Sequence, residues 1–262
     1  MLDLISADGR IDHPLQAAGF VLVAVLAAAS LAVAGLNALA RDPARTTREF
    51  ARPEAAFTLA MLVLAVLQIG HARGVPNLFL FRPEVGDGGL VEHLTVALML
   101  LPLGFLAWRL AARRAGRIRL PVALAAAAAG FVLAGEEISW GQHWLGYVPP
   151  EVVRETNLQE EFNLHNYIAP TTMEAIYFAA ALALLALSAN LDALVRSPVR
   201  ARSLLALKAL VALGAVLMAH HVFQEVAELA VILAAAWIYA GLDRGALTLR
   251  SRPLAGLALR PA

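Results

Sequence analysis

Uncharged runs of 16 or more residues recur along this chain, and no other feature limits its fold so severely. A segment of about 20 apolar residues matches the thickness of a bilayer's hydrocarbon core. A backbone in that layer must satisfy its own hydrogen bonds, so such runs fold as helices or as closed barrels. These are Ala- and Leu-rich runs without the period-2 alternation of barrel strands, and helices are therefore expected. The composition agrees: 60% of residues are hydrophobic and 16% charged, against about 25% charged in an average soluble domain. The expected fold is all-α, a polytopic transmembrane helical bundle forming one transmembrane domain over residues 1–262.

Seven segments read as spanning helices: Ala17–Ala40, Ala55–Gly70, Leu90–Ala112, Leu120–Trp140, Thr172–Asn190, Leu204–His220 and Val226–Leu242. Ala55–Gly70 is short, and Lys208 near the start of the sixth is expected to snorkel to the interface. The N-terminal stretch carries Asp3, Asp8 and Asp12 against Arg10, the wrong charge for a secretory leader, so the first segment is expected to be retained. The chain has no cysteine, which excludes disulfides and thiolate metal ligands.

Basic residues near helix ends are held in the cytoplasm, and their distribution sets orientation. Fifteen of the 21 Lys and Arg residues collect in the connections of one side, between Arg41 and Arg52, Arg113 and Arg119, Arg196 and Arg202, and Arg244 and Arg260. The other side has Arg10, Arg73, Arg82 and Arg154, while Arg109 and Lys208 lie within helix ends on the basic side. The N-terminus is expected outside and the C-terminus inside. That orientation puts all seven histidines and 15 of the 20 acidic residues at the outer face.

Within GEEISWGQHWLG, Gly135–Gly146, two adjacent carboxylates close an apolar helix. Counting from Leu120 at about 1.5 Å per residue, Glu136 and Glu137 sit roughly 24 Å along it, still within a layer of about 30 Å. A charge at that depth costs on the order of 2.5 to 3.5 kcal/mol on insertion scales and calls for a partner, a proton or a metal. Helical spacing puts Glu136, Trp140 and His143 on one face. The outer loop 141–171 contains NLQEEFNLHN, Asn157–Asn166. Read as a short interfacial helix, this places Leu158, Phe162 and His165 together, with Glu161 and Leu164 beside them, over the mouth of the bundle. In HHVFQEVAE, His220–Glu228, the spacing of His221, Glu225 and Glu228 forms a third polar stripe.

Imidazole and carboxylate side chains are the ordinary ligands of divalent metals, with zinc the best match to a mixed His and Glu set. The candidate metal ligands are Glu136, His143, Glu161, His165, His221 and Glu228. Glu137 and Glu225 are the candidate general acid or base. Mutual hydrogen bonding that seals the outer face is the structural alternative for each, and no HExxH or DxDxDG signature is present. Trp144 reads as an interfacial anchor and Trp140 as a pocket wall.

At GEEISWGQ followed by NLQEEFNLHN, the sequence resembles a family of bacterial integral membrane proteins of unknown function that carry EEISWGQ and NLQ-x-E-x-NLHN segments. The match covers Gly135 to Asn166. It implies that the two segments belong to one site and that the chain resides in a bacterial inner membrane. A weaker likeness is to the alkaline ceramidase and progestin receptor superfamily, seven-helix membrane hydrolases with an outward N-terminus and a histidine-held metal. This chain has His220 and His221 side by side where those enzymes pair histidines four apart. The likeness serves as an analogy of reaction class.

These readings lead to a membrane-embedded, metal-dependent hydrolase or transferase acting on a lipid or lipid-linked substrate at the outer leaflet. The alternatives are a proton- or cation-coupled transporter using Glu136, Glu137 and Glu228, and a non-catalytic assembly or sensor protein. The bilayer is the expected partner. Nothing in the sequence points to nucleic acid.

Overall fold

The computed structural model describes residues 14–44, 53–75, 80–81, 89–113, 116–158, 160–196 and 204–249. The apolar runs fold as helices, several of which carry a proline in the first turn, where its missing N–H would go unused. They are α1 (Pro14–Arg41), α2 (Pro53–Ala72), α3 (Leu90–Met99), α4 (Leu101–Ala111) and α5 (Leu120–Glu137). After two short helices, α6 (Gln142–Leu145) and α7 (Glu151–Thr156), come α8 (Pro170–Leu194), α9 (Leu205–Met218) and α10 (Gln224–Asp243). A two-residue antiparallel pairing of β1 (Val195–Arg196) with β2 (Thr248–Leu249) ties the ends of α8 and α10 together.

Among the described residues, five helices are long and apolar enough to cross a membrane, or six if α3 and α4 count as one bent span. The expected segment Leu90–Ala112 is therefore not one straight helix: it bends by 41° at Leu100. Pro102 supplies the cause, since it cannot donate to the carbonyl one turn back and its ring crowds that turn. The expected sixth span is the 14-residue α9, about 21 Å long and short of a hydrocarbon core of about 30 Å.

The core lies around α9, which packs on α8, α10, α1 and α2. A helix apolar on all sides is stable only when it is surrounded. Accordingly Leu207, Leu210, Val211, Ala212, Ala215 and Leu217 of α9 are all buried. Gly214 lets α10 approach closely, since a Cβ there would stand 3.0 Å from Cγ2 of Val231. The outer helices turn large apolar side chains outward, including Val21 and Val25 of α1, Val63 and Val66 of α2, and Val122 and Leu124 of α5. Exposed apolar surface on this scale belongs to a molecule whose solvent is lipid.

Side-chain contacts sort the helix ends into two sets. At one end Arg109 Nη1 meets Asp243 Oδ1 at 3.2 Å, Trp237 Nε1 donates to Glu54 Oε1 at 2.9 Å, and Lys208 pairs with Asp192. Lys208, expected to reach the interface, is buried and pairs with Asp192 of α8, whose carboxylate is exposed. At the other end His220 packs on Phe20, His93 on Trp144, and Tyr177 bonds Glu228.

Candidate functional site

α5 ends at Glu137, earlier than the expected Trp140, and the chain then turns sharply through a 3₁₀ turn, Ser139–Gly141. Ser139 and Trp140 take φ of 47° and 54°, followed by Gly141 at 79°. Left-handed backbone costs a non-glycine residue about 1 to 2 kcal/mol, so it persists only where surrounding bonds hold it. They do. Tyr147 Oη donates to the Ser139 carbonyl at 3.1 Å, Ser139 Oγ donates to Glu161 Oε2 at 2.9 Å, and Trp140 Nε1 donates to Glu136 Oε1 at 2.9 Å.

The partners of this turn come from the NLQEEFNLHN segment, which is not the interfacial helix expected from its spacing. Helix α7 lies before it, and Asn157–Asn166 is a knotted loop because its amides bond inward. Glu161 is 7% exposed, and its Oε2 accepts from Ser139 Oγ, from Asn163 Nδ2 at 3.0 Å and from Asn166 Nδ2 at 3.2 Å. Asn157 Oδ1 accepts from the Glu161 N–H, and its Nδ2 donates to the Asn163 carbonyl. Gln142 Oε1 accepts from the Phe162 N–H at 2.7 Å, and Glu136 Oε2 from the Leu164 N–H at 2.6 Å. The two motif segments therefore form a clasp that fastens the loop to the end of α5. Leu158, Phe162 and Leu164 remain on the outside of the clasp, exposed as an interfacial anchor requires.

Behind the clasp, Glu137 turns into the bundle. Its carboxyl lies close enough to those of Glu228 and Glu225 of α10 and Glu92 of α3 for their charges to act on it. Glu228 has two further partners. Tyr177 Oη donates to its Oε1 at 2.7 Å, and Gln224 Nε2 donates both to Tyr177 Oη at 2.8 Å and to Glu228 Oε1 at 3.2 Å.

Tyr177 and Gln224 form the wall between this pair and a cavity of about 420 Å³ among α8, α9 and the start of α10. Glu174, His221 and Thr171 add polar groups, while Phe178, Met218 and Ala227 make the wall apolar. That size lies in the range of about 300 to 1,000 Å³ usual for small-molecule sites. A hydrogen-bonded path thus runs from the cavity through the Tyr177 hydroxyl to Glu228, with Glu137 beside it.

The eight residues singled out from sequence separate into distinct places. Glu136 and Glu161 belong to the clasp, where Glu161 has neutral side-chain donors of the kind that hold a structural carboxylate. Glu137, Glu225 and Glu228 come together, and His221 lines the adjoining cavity. His143 lies in α6 and His165 in a 3₁₀ turn, but their side chains fall outside the described ones. Among the described residues no group of three or more His, Cys, Asp or Glu is arranged to hold a metal ion. The expected shared face of Glu136, Trp140 and His143 is replaced by the kink at Ser139–Gly141.

Sequence reasoning passed over Tyr177 and Gln224. Each left a signal: Tyr177 is the only hydrogen-bonding side chain between Glu174 and Ser188, and Gln224 stands one turn before Glu228. Compared with protein families, curated proteins and solved structures, the chain matches none of them.

Proposed function

We propose that the protein is a multi-pass membrane enzyme, a hydrolase or transferase, acting on a lipid or lipid-linked substrate at the outer leaflet. Glu137 and Glu228 serve as its acid–base pair. The observation that carries this reading is the carboxylate cluster behind an apolar cavity, in which Glu228 accepts from Tyr177 in the cavity wall and Glu137 lies close enough to act on its charge. Paired carboxyls that share a proton can give it up at one oxygen while the other accepts, which is what general acid–base catalysis requires. Tyr177 relays between the pair and a substrate in the cavity, and Gln224 holds the Tyr177 hydroxyl in line. Glu225 adds negative charge that keeps the proton within the cluster.

The orientation that goes with this function has seven crossings, α3 with α4 counting as one and α9 as the last short one, with the N-terminus outside. Its support is the concentration of arginine in the connections of one side. A bacterial inner membrane is the proposed location. A carrier is less well supported, because α10 offers only Leu, Ala, Val and Ile from Leu229 to Ala236, without a polar step toward the opposite end.

The test compares lipid extracts of cells producing wild type, Glu137→Gln or Glu228→Gln at equal protein levels, together with elemental analysis of the purified protein. Wild type alone should change the amount of a lipid or lipid-linked species. Equal lipid profiles for wild type and both variants, with cation flux in proteoliposomes that Glu228→Gln abolishes, would establish the carrier instead. Stoichiometric zinc lost in Glu228→Gln would transfer the proton's role to a metal-bound water.

A further inference from the structure

We infer that the cavity between α8 and α10 accepts an amphiphile with a cationic head, of which a long-chain primary amine is the simplest member. The inference deepens the proposed function by naming the ligand class of the same site. It is carried by the charge of the walls. Glu174 supplies a carboxylate to the lining, and no Lys or Arg is among the described lining residues, whose other ionisable groups are Tyr177 and the imidazoles of His220 and His221. Immediately behind lie Glu228, Glu137, Glu225 and Glu92.

Two positive contributions must be set against these carboxylates. The N-termini of α8 and α10 approach the cavity at Thr171 and Gln224, and each carries the equivalent of roughly half a positive charge. Glu225, in the first turn of α10, already answers one of them. Glu174 stands against the other. Glu228, bonded to Tyr177 of the wall, and Glu137 and Glu92 beyond it add carboxyl groups behind the cavity. A phosphate or sulfate head would be repelled and would find no guanidinium or ammonium to bind. An ammonium head finds carboxylate oxygen at Glu174 and a field pointing the same way behind the Tyr177 wall. The apolar body has Phe178, Met218, Ala219 and Ala227 to lie against.

The experiment uses the full chain in nanodiscs of zwitterionic lipid and three photoreactive probes of equal chain length: dodecylamine, dodecyl phosphate and dodecanol, each with a terminal diazirine. The amine probe should label peptides from the starts of α8 and α10 and be displaced by unlabelled dodecylamine. Glu174→Gln should lower that labelling several-fold. Ala175→Trp, which fills the cavity from an exposed position tolerant of bulk, should abolish it. Equal labelling by the phosphate or alcohol probe overturns the inference, as does amine labelling that survives both variants. Amine labelling with identical lipid profiles for wild type and Glu137→Gln upholds the ligand class and removes the enzyme reading. Lipid profiles that differ without amine labelling do the reverse.

Discussion

At the scale of single residues, Glu161 and Glu137 are both carboxylates near the C-terminal end of α5, yet their surroundings ask opposite things of them. Glu161 accepts from three neutral side chains, and bonds to a charged acceptor are roughly twice as strong as neutral ones. Glu161→Gln should cost about 2 kcal/mol and Ser139→Ala about 1 kcal/mol. Both should appear as lower midpoints of thermal aggregation in detergent, and the loop before α8 should become the first site of proteolysis. Glu137 stands among like charges, so Glu137→Gln or Glu228→Gln should leave that midpoint unchanged or raise it, a gain of up to about 1 kcal/mol, while abolishing function, the usual trade between stability and activity. A fall in stability equal to that of Glu161→Gln would count against the acid–base role. The sequence marked all of these residues as unusual but did not separate them. A carboxylate beside amides and imidazoles has the same local signature whether it binds a metal, shares a proton or closes a loop.

At the scale of elements, the apolar runs revealed the helices because a bilayer leaves the backbone no other local solution. Their ends and bends were harder to read. Pro102 is a visible reason for the break at Leu100, but Ser139 and Trp140 adopt left-handed backbone that non-glycine residues announce only through partners distant in sequence. The bend has a counterpart in Gly130 of α5, where an added Cβ would lie 2.1 Å from the Met99 carbonyl oxygen. Backbone there cannot yield without moving a helix, so Gly130→Ala should cost about 2 to 3 kcal/mol. It should also loosen α5 from α3, read as faster hydrogen exchange at residues 130–137. α9, expected as a span, is a short apolar helix, and it is packed on α8, α10, α1 and α2.

For the whole molecule, the two ends are built on different chemistry. At the basic end the buried Arg109–Asp243 pair also draws in the Ile118 carbonyl and N–H. Removing one partner strands a buried charge, so Asp243→Leu should cost about 3 to 5 kcal/mol, and adding Arg109→Met should recover much of that loss. Thermal midpoints of the single and double variants measure the difference. Because the chain has no cysteine, orientation can be read from single introduced thiols. Leu158→Cys should react with an impermeant maleimide on intact cells, and Leu249→Cys only after permeabilisation. The reverse pattern would invert the topology.

Neighbours in sequence, Glu136 and Glu137 serve different networks: one carboxylate fastens the loop and the other reaches Glu228. A single peptide bond therefore joins the protein's outer cover to its carboxyl pair. Because each helical residue turns the axis by about 100°, inserting one alanine within α5 would rotate both carboxylates out of register together. The clasp and the pair should then fail at once, although no residue of either had been replaced.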